Sequence, residues 1–158
     1  MREIQITLLR LILFLAGGEA LPPRINAEVA AETPLHQLLE RQFGMLSVAE
    51  ERLANVAANA KTADCTDLSG EQKNVRGDLL VWLCTNVQAT GQVTYRGISI
   101  TGADIVGTVD LKWAKIAFPI TASNCLFQCN VDLANSGIAF LSLASSTVRK
   151  CSFAVLCG

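Results

Sequence analysis

Six cysteines, one histidine, two tryptophans and a recurring aspartate are the side chains in this sequence best suited to chemistry. The cysteines stand at 65, 84, 125, 129, 151 and 157, and their spacings match no paired CxxC zinc pattern. Cys65 and Cys84 flank an expected helix, so a disulfide between them is an option if the chain is exported. Cys125 and Cys151 fall on positions that read as core, and Cys129 and Cys157 lie near expected turns. His36 has no cysteine or aspartate at catalytic spacing and reads as a structural or surface residue. Asp110 and Asp132 recur in the triplet Val-Asp-Leu. Two carboxylates make a poor Ca²⁺ site, which wants about six or more oxygens, so an outward polar position is the reading adopted. Trp82 and Trp113 read as packing residues, and Lys112 and Lys115 as a solvated face. No GxGxxG fingerprint follows a strand, and no flavin or haem ligand set is present. No catalytic, cofactor-binding or metal-ligating residue is therefore assigned.

Composition narrows the class further. Apolar residues make up 51% and charged residues 17%, which suits a folded chain and not a disordered one. A net charge of −1 argues against nucleic-acid binding by counterion release. At the start, Arg2 and Arg10 precede the apolar run Leu11 to Ala16, and Gly18 and Ala20 frame a candidate cleavage after Ala20. That pattern is a secretory leader over residues 1–20. Its apolar run is short and split by Arg10, so an uncleaved amphipathic start, or a true start at Met45, stays open. Cleavage implies an exported or periplasmic protein; otherwise it is membrane-associated or cytoplasmic. No stretch of ~20 apolar residues marks an ordinary membrane-spanning helix.

Residues 21–32 read as a linker and residues 33–90 as a helical region. Thr33 and Pro34 suit a helix start, and Leu35, Leu38, Leu39 and Phe43 share one face before Gly44. Ser47-Val-Ala-Glu50 is a capping box opening a second helix, with Ala49, Leu53, Val56, Ala57 and Ala60 as its buried stripe and an end near Lys61. Asp64 to Gly70 reads as a loop, and a third helix is expected from about Gln72 to Thr85.

Residues 91–158 carry a different period. From Ile98 to Phe153, eleven units repeat an apolar-or-small residue, any residue, and an apolar residue, mostly five positions apart. Neither a helix nor a plain strand gives that spacing. Val109-Asp-Leu111 with Ile116 recurs 22 positions later as Val131-Asp-Leu133 with Ile138, so four units make one coil. The expected columns are Ile100–Ile120–Leu143, Ile105–Phe127–Val148, Leu111–Leu133–Phe153 and Ile116–Ile138. The other inward set gives Ile98–Phe118–Leu141, Ala103–Cys125–Ser146, Val109–Val131–Cys151 and Ala114–Ser136.

The units Gly102-Ala-Asp-Ile105, Cys125-Leu-Phe127 and Val131-Asp-Leu-Ala134 resemble the A(D/N)Lxx units of pentapeptide-repeat proteins. Leu46-Ser-Val-Ala-Glu50, Val75-Arg76 and Tyr95-Arg-Gly-Ile98 extend the resemblance to a bacterial family of helix-plus-repeat proteins, some labelled membrane-associated oxidoreductases. The resemblance implies a mixed α and β fold. N-terminal amphipathic helices would cap a right-handed parallel β-helix, a four-sided solenoid of about two and three-quarter coils. Leu156 and Gly158 would leave its last coil open, which suggests a truncated member or end-to-end association through that coil. The expected function is a non-catalytic structural or protein-interaction module with an unknown protein partner, no nucleic acid, and an open question of membrane association. A DNA mimic that binds a topoisomerase is the alternative. From Ile98 onward, however, Lys112, Lys115, Arg149 and Lys150 outnumber Asp104, Asp110 and Asp132 for a balance of +1. A fragment of a membrane-associated oxidoreductase is the other.

Overall fold

The structure, a computed structural model, describes residues 34–152. The leader, the linker, the proposed cap Thr33, the column ends at Phe153 and the expected open end at Leu156 to Gly158 lie outside the described residues.

Helix α1 is Pro34–Phe43, with Leu35 and Leu39 fully buried. Helix α2, Val48–Ala57, opens on the expected capping box. The Ser47 hydroxyl accepts from the Glu50 amide at 3.1 Å, and the Glu50 carboxylate accepts from the Ser47 amide at 3.0 Å. The helix stops earlier than its apolar stripe suggests, and Ala60 takes a left-handed φ of 56°.

After α2 the chain differs from its local pattern. Ala63–Asp64 is a short strand, β1, where a loop was expected. The segment expected to begin a third helix at Gln72 instead forms a 3-10 turn, Gly70–Lys73, and then strand β2, Asn74–Arg76. Helix α3 starts only at Gly77 and runs to Thr85. Two facts explain this. Val75 is fully buried and pairs with Ile105 of β4 (Asp104–Val106), so a long-range ladder outweighs local helical periodicity. A Cβ at position 77 would also meet the Thr108 carbonyl oxygen at 2.5 Å, which admits the chain there only as glycine. A short helix α4, Val87–Thr90, comes next, capped by the Asn86 side chain.

The remaining strands are β3 (Ile98–Thr101), β5 (Val109–Asp110), β6 (Lys115–Ser123), β7 (Leu126–Asp132), β8 (Gly137–Ser142) and β9 (Thr147–Ser152). They form two parallel sheets. The first has the order β1-β3-β6-β8; in the second β2 pairs with β4, while β4, β5 and β9 all pair with β7. From β3 onward the chain crosses between the sheets through left-handed corners at Gly102, Trp113, Asn124, Asn135 and Ser145. One apolar core collects inward residues of both sheets together with Leu35, Leu39, Leu53, Leu79 and Leu83 of the helices.

This corrects the expected fold class. The protein is a mixed α and β structure built on two parallel sheets, not helices capping a single four-sided solenoid of five-residue faces. The strands group into two sheets, β6 is nine continuous residues, and β1 and β2 from the region read as helical begin the sheets.

Several expected columns nevertheless coincide with strand register. Ile105 pairs with Phe127 and Phe127 with Val148; Val109 pairs with Val131 and Val131 with Cys151; Ile116 pairs with Ile138. The Leu111 amide donates to the Asp132 carbonyl at 2.8 Å, carrying the β5–β7 ladder on towards Leu133. The rest of the first sheet is shifted. Ile98, not Ile100, pairs with Ile120; Ile100 pairs with Ala122, and Ile120 with Leu141. An irregularity between Ile116 and Pro119 gives β6 one more residue than β8 there.

One polar cluster joins the helices to the second sheet. Glu50 is 2% exposed, and its carboxylate accepts from Arg76 Nε at 2.8 Å, Arg76 Nη2 at 2.9 Å and the Arg76 amide at 2.9 Å. Arg76 also donates to the Phe43 carbonyl at 3.1 Å and lies 5.3 Å from the centre of the Phe43 ring. Phe43 in turn meets Trp82 edge-on at 5.8 Å. The Arg76 side chain is 34% exposed, so removing Glu50 leaves a guanidinium that water can reach, and the loss is that of its charged hydrogen bonds, about 1.5–3 kcal/mol. Glu50→Ala should therefore lower unfolding free energy by about that amount. Urea titration of the variant checks it, and a loss under about 1 kcal/mol would show that the pair is dispensable.

Candidate binding surface

The residues singled out by type do not assemble into a reactive centre. Asp110 and Asp132 pair in register at the ends of β5 and β7, as expected, but each is occupied. Asp110 accepts from the Lys112 amide at 3.1 Å. Asp132 accepts from the Ala134 amide at 3.1 Å and from Lys112 Nζ at 2.9 Å. The lysine and the amide hold the Asp132 carboxyl below its ordinary range. Among the described residues no group of three or more His, Cys, Asp or Glu gathers as metal ligands.

Cys65 and Cys84 are free and buried, so the disulfide option between them is not realised. Cys125 is also buried, with Sγ 3.3 Å from the Ser123 carbonyl oxygen. Cys151 pairs with Val131 in the β7–β9 ladder, the side chain of Cys129 is not described, and Cys157 lies outside the described residues. His36 is buried on α1, with Nδ1 3.9 Å from a Glu40 carboxylate oxygen. Trp82 packs as expected. Trp113 does not: it is 69% exposed at a corner with φ 59°. The other left-handed corners from β3 onward use Gly, Asn or Ser. Lys115 is exposed, as its reading as a solvated residue implies.

The built feature lies elsewhere, on the outer face of the first sheet. Helix α2 ends with the Ala57 carbonyl accepting from the Thr94 amide at 3.0 Å. The Gly97 amide donates back to the Thr94 carbonyl at 2.8 Å, closing a turn with Tyr95 and Arg96 at its centre. Gly97 has φ 71°, and a Cβ there would overlap the Pro119 carbonyl oxygen, so only glycine lets the turn sit this close to β6. Tyr95 is 81% exposed as a result.

From that turn a groove crosses the strands. Its floor carries Ser99 and Thr121, which pair in register, with Thr62 beside Ser99 at a hydroxyl–hydroxyl distance of 3.0 Å. Pro119 pairs with Phe140 on β8, and Phe140 is 57% exposed. Lys61 and Arg96 are exposed and line the same groove, which has no carboxylate among its lining residues. No ion pair involves Lys61 or Arg96 among the described residues, which is equally true of Arg41, Lys115 and Arg149; what sets Lys61 and Arg96 apart is that they share one groove with two exposed rings. The groove therefore offers two cations, a row of hydroxyls and two exposed aromatic rings. Sequence patterns do not single out Phe140 and give Tyr95 no role, although an isolated Tyr-Arg-Gly before a strand is a signal. Among the described residues no helix is long and apolar enough to cross a membrane.

The buried thiols yield a pH prediction. Burial pushes Cys65 up to about 11 and Cys84 up to about 12, and it raises Cys125 as well. A pKa raised on folding means that the neutral thiol is favoured in the folded state. Stability from these groups is thus complete below the unfolded thiol value of ~8.5, and it is lost as pH rises through the folded values. Urea midpoints should hold from neutral pH to about pH 8 and fall through the range up to about pH 12. A triple Cys→Ser control at 65, 84 and 125 should flatten that decline; an equal decline would refute the assignment. Trp113→Asn should raise stability by about 1 kcal/mol, since a left-handed conformation strains a Trp backbone and suits Asn. Thermal melts check this, and an unchanged or lower midpoint would show that the corner carries no strain. No family model matches the chain, and neither does a curated protein or a solved structure.

Proposed function

We propose that this chain is a non-catalytic interaction module that binds a protein partner through the outer face of its first sheet. The observation that carries the reading is the pair Tyr95 and Phe140. Both rings are exposed and line one groove with polar neighbours, an arrangement that marks an interaction site where a single scattered apolar residue would not. Aromatic side chains in a pocket with polar neighbours are the usual anchors of protein recognition. The charge of the strand region, +1 from Ile98 to Gly158, gives a DNA-mimic reading no support. Location depends on the leader: exported or periplasmic if residues 1–20 are cleaved, membrane-associated or cytoplasmic if they are kept.

A photo-reactive amino acid placed at 140 in the full chain, in cells that express it, tests the reading. Irradiation should give discrete higher-mass adducts at 140 and none for the same group at Glu71, an exposed position outside the groove. Identical patterns at the two positions, or no adduct at 140, would overturn it.

A further inference from the structure

We infer that the partner presents to this groove a short acidic segment and, about four to five residues from it, an apolar side chain. The inference rests on the proposed interaction function and adds the chemistry of what is bound. It comes from where the charges and rings lie. Lys61 precedes β1 and Arg96 precedes β3, so both cations sit at one side of the sheet, while Phe140 lies on β8 at the other. Neither cation has an ion-pair partner among the described residues, and no carboxylate lines the groove. The nearest acid in sequence, Asp64, is engaged with its own loop, accepting from the Thr66 amide at 3.0 Å and the Thr66 hydroxyl at 2.7 Å.

Four strands separated by ~4.8 Å place β1 and β8 ~14 Å apart, a span of about four to five extended residues. A peptide crossing the strands can therefore set carboxylates on Lys61 and Arg96 and still reach Phe140 with an apolar side chain. Between them, Ser99 and Thr121 offer hydroxyls to its backbone, and Pro119 gives a flat apolar floor. The Arg96 guanidinium can hold a carboxylate with two parallel hydrogen bonds. Polymers with charge along their whole length fit less well. A polyuronate or a nucleic acid would need cations repeated across the sheet, and these lie at one end. A bilayer would need a broader apolar surface than the two exposed rings, Tyr95 and Phe140, that this face presents.

The test uses the full chain and fluorescence anisotropy with a labelled peptide, Glu-Glu-Gly-Ser-Phe. Its charge-swapped form, Lys-Lys-Gly-Ser-Phe, an oligogalacturonate and phosphatidylglycerol vesicles are the comparisons. The acidic peptide should bind at least ten-fold more tightly than the charge-swapped one. The double variant Lys61→Glu/Arg96→Glu should reverse that order, and Phe140→Ala should weaken the acidic peptide about ten-fold. All variants should keep the parent melting temperature, since every altered side chain is exposed. Equal binding of the two peptides, no reversal in the double variant, or tighter binding of oligogalacturonate or vesicles would overturn the inference. If the peptide fails while adducts at 140 persist, the acidic chemistry is wrong and the interaction function stands; if both fail, both fall.

Discussion

The buried carboxylate of Glu50 is the constraint from which the rest of the architecture can be traced. A charge removed from water costs several kcal/mol unless every lone pair is used. Here both oxygens are used: Oε1 takes the Arg76 amide and Nε, and Oε2 takes Arg76 Nη2 and the Ser47 amide. This geometry admits one arrangement of three segments. The α2 N-terminus must sit against β2, and the end of α1 must lie within reach of the Arg76 guanidinium. The Ser47 hydroxyl adds a bond to the Asn74 carbonyl at 2.6 Å, which ties the cap to the strand a second time. The cluster specifies geometry more than it adds net stability, because apolar packing of equal volume could supply comparable energy without fixing the angle.

Once β2 is fixed, the sheets have their starting edges. β4 lies in register on β2 through Val75 and Ile105, β7 lies on β4, and β9 lies on β7. The same helix α2 fixes the other sheet, because it contacts β1 and β3 and its Ala57 carbonyl anchors the turn that displays Tyr95 and Arg96. The groove is therefore referenced to the capped helix and not to a flexible loop. Its shape depends on Gly97 letting that turn rest on β6 and on the β6 irregularity that sets Pro119 beside Phe140.

Sequence patterns disclose what local chemistry decides and miss what distant pairing decides. The capping box is legible because both partners lie within three residues. β2 is not, since Val75 fits a helical stripe with Leu79 equally well, and only its pairing with Ile105 selects the strand. The 22-residue spacing correctly matches β5 with β7 through an intact Val-Asp-Leu triplet. Between β3 and β6, and between β6 and β8 beyond the irregularity, the match slips by two residues. A two-residue slip returns every side chain to the same face, so the apolar pattern is satisfied by either register. A one-residue slip would expose the core and break the pattern. The same limit accounts for the wrong fold class: the repeat constrains which side chains point inward, not how many sheets the strands join to form.

The groove is hidden for a different reason. Its members, at 61, 62, 95, 96, 99, 119, 121 and 140, are scattered along the chain and become neighbours only after the strands pair. Exposed positions obey no burial period, so nothing in the sequence links Tyr95 to Phe140. Burial explains a core residue by its own contacts, and an exposed aromatic has no such account. Trp113 sharpens the contrast, because it is both exposed and held at a positive φ that disfavours a large side chain. Its conformation costs about 1–2 kcal/mol with little packing to offset it. Neither the strained corner at Trp113 nor the groove at Tyr95 and Phe140 buries its ring, so neither leaves a trace in the apolar repeat.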